Sequence, residues 1–451
     1  MSEASPSPPV TRLEIFGWAM FDFANSSYTT IIVTFAFSVY FREVVVGGER
    51  GDWLWGVGLA ASNLLVLLAA PVVGAVADGS GRKKPILAAT WLACVVGTAA
   101  LYFATPGSPL LPLGLFVFSN VAFATGEPLV AAVLPEISTP TNVGRISGLG
   151  WGLGYFGGLA CLVAVMPLTA GGIEAGNLER LRWIGPVTAA FFLVAGLPTF
   201  LLLKERAPRQ PGRPLGAWVR EGFSRLAVTA RSLGRLRQLS RFLAVYFTYA
   251  CGLYTVIAFA AIYARSSLGF DGNELSLLFL ALQLAAAAGA LAGGPIQDRF
   301  GSKRALLGIL GLWIAVCAGA ALTTSRVTFW WIALGAGLGI GSLLASSRGV
   351  VALFAPPAKS GEIFGFWGMA SRAAYALGPF LFGTISAEAG SQRIAVAVTG
   401  LFFVAGWVGL TRIDEEAGLR EAREWGEPAP PIPDSSRPHP PGGGTRPPAG
   451  P

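Results

Sequence analysis

Histidine is almost missing: the 451 residues hold one, His439, in a Pro/Gly-rich tail. The apolar part of the chain therefore has neither an imidazole metal ligand nor an imidazole proton relay. Charge is scarce too, at 13% of residues against about a quarter in soluble domains, and the mean hydropathy is +0.58. Most of the chain belongs in lipid. The cysteines, Cys94, Cys161, Cys251 and Cys317, each fall alone in a different apolar run, so they form no metal-ligand spacing or disulfide framework and read as small packing residues. No GxxxxGK[ST] phosphate loop occurs, which disfavours a primary pump. A membrane-embedded hydrolase or transferase would need a nucleophile and base, or metal ligands, inside the spans. The chain is expected not to be an enzyme and to hold no cofactor or metal.

What is present is hydrocarbon-length helix. A span needs roughly 20 apolar residues, and twelve segments qualify: about 15–41, 53–77, 85–104, 110–134, 147–170, 183–203, 242–264, 275–297, 305–323, 327–354, 363–386 and 394–411. The opening MSEASPSPPV lacks the basic start and cleavage site of a signal peptide, so the first span is expected to stay. With the N-terminus cytoplasmic, the short inner loops hold Arg12, Arg82, Lys83, Lys84, Arg145, Arg299, Lys303, Arg304 and Lys359 and outweigh the outer arginines, as the positive-inside rule requires. An even span count then puts both termini in the cytoplasm. Arginine-heavy, Ala/Gly/Pro-rich usage hints at a GC-rich bacterial source, hence a plasma membrane.

Residues 1–14 read as a cytoplasmic segment, 15–203 as a six-helix bundle, 204–241 as a linker, 242–411 as a second bundle and 412–451 as a cytoplasmic tail. The linker has ten basic residues against Glu205 and Glu221, which suits an anionic inner leaflet, with membrane lipids as partners and nucleic acid excluded. Residues 426–451 are too rich in Pro and Gly to build a core. A monomer is expected.

The two halves repeat each other. GAVADGSGRKK (74–84) returns as GPIQDRFGSKR (294–304), matching Gly74 to Gly294, Asp78 to Asp298, Gly81 to Gly301 and Lys83 to Lys303. FDFANSSYTTI (21–31) returns faintly as FTYACGLYTVI (247–257), and Pro135 and Gly144 align with Pro356 and Gly365 at an offset of 221. Two six-span halves related by an axis along the membrane normal, with substrate between them near mid-membrane, are a known transporter plan. The glycine, aspartate and cation cluster after spans two and eight resembles the signature loop of the major facilitator superfamily. FDFANSSY and LPEISTPTNVGRISGLGWGLGYFGG (134–158) resemble the "unknown major facilitator" family, which includes an autophagy-related vacuolar amino-acid effluxer. The resemblance implies two pseudo-symmetric six-helix bundles and a lock on one access state, carried here to Asp78, Arg82, Asp298 and Arg299. Gly79 stands where an arginine commonly follows the first aspartate, which weakens the carry-over there. Each aspartate can meet a cation or the positive N-terminal end of a neighbouring helix.

At 100° per residue, Asp22, Asn25, Ser26 and Thr29 share one face of span one. An ionisable group in a span costs at least a few kcal/mol, so it faces a cavity or a partner. Glu127, Arg348 and Arg372 lie about as deep as Asp22, roughly 10–13 Å from the basic end at 1.5 Å per residue. Glu127 and Arg348 share the 221 offset, so the expectation is that they face each other. Three roles are open: binding a zwitterion, with arginine on its carboxylate and Asp22 or Glu127 on its ammonium; an inner gate of breakable pairs; or coupling to protons through Asp22 or Glu127. Permanent pairs that only hold helices together are the plain alternative. Gly150, Gly154 and Gly158, like Gly337 and Gly341, recur every four residues and read as close packing. The expected function is secondary transport of a small polar solute, amino acids first, by alternating access. Transport of drugs or other small molecules, a channel, and a non-transporting receptor or scaffold are the rivals.

Overall fold

The computed structural model describes residues 9–206, 217–218, 220, 222–224, 231 and 234–425, with the backbone only at 48 and 49. Most of the basic linker lies outside those residues, and so does all of 426–451, the stretch read as unable to build a core. Twelve long helices run through the described part: α1 (Arg12–Val46), α2 (Gly48–Ser80), α3 (Lys83–Ala100), α4 (Leu110–Ala131), α5 (Val143–Thr169), α6 (Ile184–Leu202), α7 (Arg237–Leu268), α8 (Gly272–Phe300), α9 (Ser302–Leu322), α10 (Arg326–Phe354), α11 (Ser360–Ala389) and α12 (Gln392–Thr411). Eleven of the helical segments are long and apolar enough to cross a membrane. The exception, α11, has the length but carries Ser360, Glu362, Ser371, Arg372 and Glu388.

The helix ends follow local chemistry. Gly81 and Gly301, the glycines of the repeated loops, stand at the ends of α2 and α8 with φ of 64° and 88°, a region that L side chains avoid. That is why both loops keep glycine. α7 begins at Arg237, inside the stretch read as linker. α1 is α-helical over Arg12–Tyr28 and π-helical over Thr29–Phe35 and Tyr40–Val46. A short helix, α13 (Glu415–Arg423), follows α12 and packs on α7 and α10. Its Glu415 accepts the backbone N–H of Ser302 and Lys303 at 3.0 and 3.1 Å, capping α9. The near end of the tail is therefore folded.

Helices α1–α6 and α7–α12 form the two halves, which meet along two seams: α5 lies on α8 and α10, and α2 lies on α11. Both seams are joined at the end of the bundle that carries the basic loops 81–84, 203–206 and 299–304, called the basic end below. Backbone approaches there are glycine-to-glycine: a Cβ on Gly361 would sit 2.6 Å from Gly74 O, and Gly144 and Gly294 bar a Cβ on each other in the same way. Within the second half Gly341 lies directly on the Ala286 carbonyl. Gly341→Ala is expected to cost about 1–3 kcal/mol by overpacking and to lower the thermal unfolding midpoint in detergent by several degrees. An unchanged midpoint would show that α8 and α10 are free to move apart there.

Candidate functional site: a charged cavity floor between the halves

Between the halves lies a cavity of about 460 Å³. It runs from the charged layer away from the basic end, past Thr34 and Phe279. Asp22, Asn25, Ser26, Thr29, Glu127, Arg348 and Arg372 all line it. The polar face of α1 points into it even though Thr29 already belongs to the π-helical segment, whose Thr30, Val33 and Thr34 continue the lining.

The charges pair differently from the 221-offset expectation. Arg348 reaches Asp22, not Glu127: Nη1 donates to Asp22 Oδ2 at 2.7 Å, with side chains 3% and 13% exposed. The same guanidinium donates to Ser147 Oγ at 3.1 Å and Ser147 O at 2.8 Å and lies between the rings of Trp18 and Trp151, 4.8 and 5.4 Å from their centroids. It is fixed on every side. Glu127 instead meets Arg372, whose Nη2 donates to Oε2 at 3.2 Å, and Arg372 Nη1 reaches Asn63 Oδ1 at 3.4 Å. Here the side chains are 34% and 22% exposed. One pair is tight and buried; the other is loose and open to the cavity.

Both pairs join the first half to the second. Asp22 on α1 meets Arg348 on α10, and Glu127 on α4 meets Arg372 on α11. The α5 glycines make room for this layer: a Cβ on Gly150 would strike Asp22 Oδ2 and come within 2.7 Å of Arg348 Nη2, and one on Gly154 would sit 2.9 Å from Ser26 Oγ. The four-residue spacing thus does more than pack helices.

The basic end closes below this floor. Asp78 Oδ2 accepts the backbone N–H of Glu362 at 2.9 Å, at the start of α11, and Asp78 Oδ1 lies 3.3 Å from Lys83 Nζ. Lys83, 3% exposed, also reaches Glu136 Oε1 at 2.6 Å and Ser360 Oγ at 2.5 Å. On the other seam Asp298 accepts the N–H of Gly144 and Arg145 at 2.7 and 3.0 Å, at the start of α5, with Arg145 Nε at 3.2 Å. Each aspartate therefore holds a helix N-terminus of the opposite half, where the helix dipole favours negative charge. The cations differ from those the resemblance implied. Arg82 and Arg299 lie exposed, Arg299 over the Phe300 ring, while Lys83 and Arg145 make the contacts. Gly74 packs on Gly361, and Gly81 and Gly301 end the helices that carry the aspartates.

Sequence reasoning counted Lys83 and Arg145 among the inner cations but passed over both as contacts, and it passed over Glu136, Ser147, Ser360 and Asn63 altogether. Glu136 and Arg145 lie in the quoted stretch 134–158, so their signal was present but lacked a partner. The repeat register also needs correction. Gly361, not Gly365, is the counterpart of Gly144, because Gly361 and Glu362 face Asp78 as Gly144 and Arg145 face Asp298; Gly361 follows Pro356 by five residues where Gly144 follows Pro135 by nine. Among the described residues no group of three or more His, Cys, Asp or Glu is placed to hold a metal.

The tight pair predicts a stability pattern. Asp22→Ala strands a buried guanidinium and is expected to cost about 3–5 kcal/mol, whereas Asp22→Ala with Arg348→Met recovers most of it. Thermal unfolding of the purified variants checks this. Equal losses in the single and double variants would show that the pair is not what holds α1 to α10.

A family model described as "Vacuole effluxer Atg22 like" matches residues 57–423. The chain is 26% identical over 407 residues to the uncharacterized MFS-type transporter YxiO of Bacillus subtilis (strain 168), covering 88% of this chain and 94% of that one. It is 25% identical over 335 residues to Autophagy-related protein 22 of Cryptococcus neoformans var. neoformans, covering 68% of this chain and 58% of that protein. Among solved structures, the human organic anion transporter MFSD10 superposes with a TM-score of 0.70 at 17% identity over 88% of this chain and 99% of that one. The major facilitator transporter FucP in its outward conformation gives 0.71 at 13% identity over 89% and 98%. Those two likenesses show the fold, and the family model shows the descent: this chain belongs to the Atg22-like effluxer family and is a multi-pass membrane transporter of the major facilitator superfamily.

Proposed function

We propose that the chain carries a small zwitterion, an amino acid in the first instance, by alternating access of its two halves. The observation that carries this reading is that both intramembrane ion pairs span the halves at the cavity floor. Pulling the halves apart at that level breaks both pairs, and a buried pair that loses one partner costs about 3–5 kcal/mol. That is two to four powers of ten in rate, enough to hold the empty protein closed. A ligand with one carboxylate and one ammonium removes the obstacle at the looser pair. Its carboxylate takes Arg372, where the guanidinium fork suits two oxygens, and its ammonium takes Glu127. Both groups then remain paired as the halves rock.

The two pairs have different parts in this mechanism. Glu127 and Arg372, loosely joined and open to the cavity, exchange partners with substrate. Asp22 and Arg348, enclosed by Ser147, Trp18 and Trp151, form the latch that opens last. With the basic end cytoplasmic, as its cations favour, the seams at Asp78 and Asp298 form the inner gate and the cavity faces outward. A proton on Glu127 would also relieve the broken pair, so coupling to protons belongs to the same residue. The plasma membrane is the site if the source is bacterial.

The test is uptake into liposomes containing the purified chain, with an amino-acid panel, with and without a pH gradient. Saturable uptake of at least one amino acid is expected, and Glu127→Gln is expected to abolish it while leaving folded protein in detergent. Arg372→Lys keeps the charge but loses the fork and should raise KM about tenfold or more. Binding without uptake would favour a receptor, non-saturating flux a channel, and silence across the panel with uptake of another solute class would overturn the zwitterion. Exchanging the charges of Glu127 and Arg372 together should restore uptake better than either single change; the same exchange across Glu127 and Arg348 should not.

A further inference from the structure

A second concavity lies far from the cavity, on the outer surface at the basic end, between the first turn of α3 and the last turn of α6. Its floor is the ring pair Trp91 and Phe200, 4.5 Å apart at 30°. The indole is held flat by its bond to Phe192 O at 3.2 Å and by Gly196, where a Cβ would sit 2.7 Å from Trp91 Nε1. Gly196 thus lets the indole of the floor lie close against α6. Leu201 beside it is 76% exposed, as suits contact with hydrocarbon. At its rim stand Lys84 and the exposed Lys204, with Glu205 between them.

The rim charges are arranged to leave cations available. Glu205 Oε2 accepts the Lys84 N–H at 2.9 Å, so its carboxylate is engaged at the α3 N-terminus, where the helix dipole offsets part of its charge. Lys84 Nζ donates to Leu203 O at 2.6 Å and has two further protons to give. Two ammonium groups over an aromatic floor that opens onto hydrocarbon are the complement of one kind of molecule. We infer that this hollow binds an anionic phospholipid, with its phosphate on Lys84 and Lys204 and an acyl chain over Trp91 and Phe200. The occupant is a lipid and not a peptide because the floor lies within the span-length helices, beside lipid-exposed leucine. Such a lipid grips the first turn of α3 one residue from Lys83, the gate cation.

The test reads lipid retention, independently of any transport. The full chain, purified in detergent, is incubated with equal amounts of dioleoyl phosphatidylglycerol, phosphatidylethanolamine and phosphatidylcholine, and bound lipid is read by native mass spectrometry. Phosphatidylglycerol is expected to be retained over phosphatidylcholine by roughly tenfold or more, from two lysines near the surface. Lys84→Gln with Lys204→Gln should bring the ratio close to one. Arg412→Gln, an exposed cation at the end of α12, should leave it unchanged. If the double variant is unstable, Lys204→Gln alone alters one exposed side chain and should lower the preference about fivefold. Equal retention of all three lipids, a preference that survives both substitutions, or retention of phosphatidylethanolamine equal to that of phosphatidylglycerol would overturn the inference. Displacement of the lipid by millimolar inorganic phosphate would also overturn it, by pointing to a soluble anion.

Discussion

A full charge inside a membrane protein cannot be left without a partner, and the rest of this structure follows from that. Four such charges stand in one layer, two acids on the first half and two arginines on the second. Had each pair been confined to one half, the layer would have been internal reinforcement. Because each pair crosses between halves, the same electrostatics that hold the molecule together would also resist any separation of the halves at that level. The apolar surroundings strengthen this, since desolvation makes an unpaired carboxylate or guanidinium costlier than in water. The hydrophobic effect offers no comparable grip between helices in lipid, where glycine packing and polar contacts must serve instead.

The basic end adds backbone N–H groups to its ion pairs. Asp78 and Asp298 bind the open N–H groups of α11 and α5, contacts that water could replace if the seam parted. On the first seam Lys83 keeps Asp78 and Glu136 within its own half and gives up only Ser360 across the boundary. Asp298 has no such arrangement: its contacts with Gly144 and Arg145 all cross to the other half. The two seams therefore differ in how much charge they would expose on parting, although they descend from one duplicated motif.

Much of the architecture could be read in advance because it rests on composition. Twelve apolar runs and a duplicated glycine, aspartate and cation loop specify two bundles, and a polar stripe on α1 specifies a wet face. Depth was legible too, since rise per residue converts a position in the chain into a height in the membrane. Which charge meets which was not. Contact depends on azimuth and on how helices from different halves pack, and neither is encoded in spacing along one helix. Glu136 and Arg145 illustrate the limit: both lie in a conspicuous stretch, yet each acquires meaning only from Lys83 and Asp298, elsewhere in the chain.

The mispairing of Glu127 with Arg348 shows what internal repeats can and cannot tell. An axis between two halves carries a residue to its counterpart at equal depth on the opposite side of that axis. Equivalence is thus a statement about rotation, and residues related by rotation touch only if they lie at the axis itself. Off the axis, each meets a residue from a different helix of the other half, which is what α4 with α11 and α1 with α10 do. The arginines lie on α10 and α11, and their partners lie on α1 and α4 respectively. The helix equivalent to α4 is α10, so the counterpart of Glu127 is engaged with α1 and leaves Glu127 to Arg372. Two pairs, not one, result from displacement off the axis, and with them comes the division between a buried pair and an accessible one.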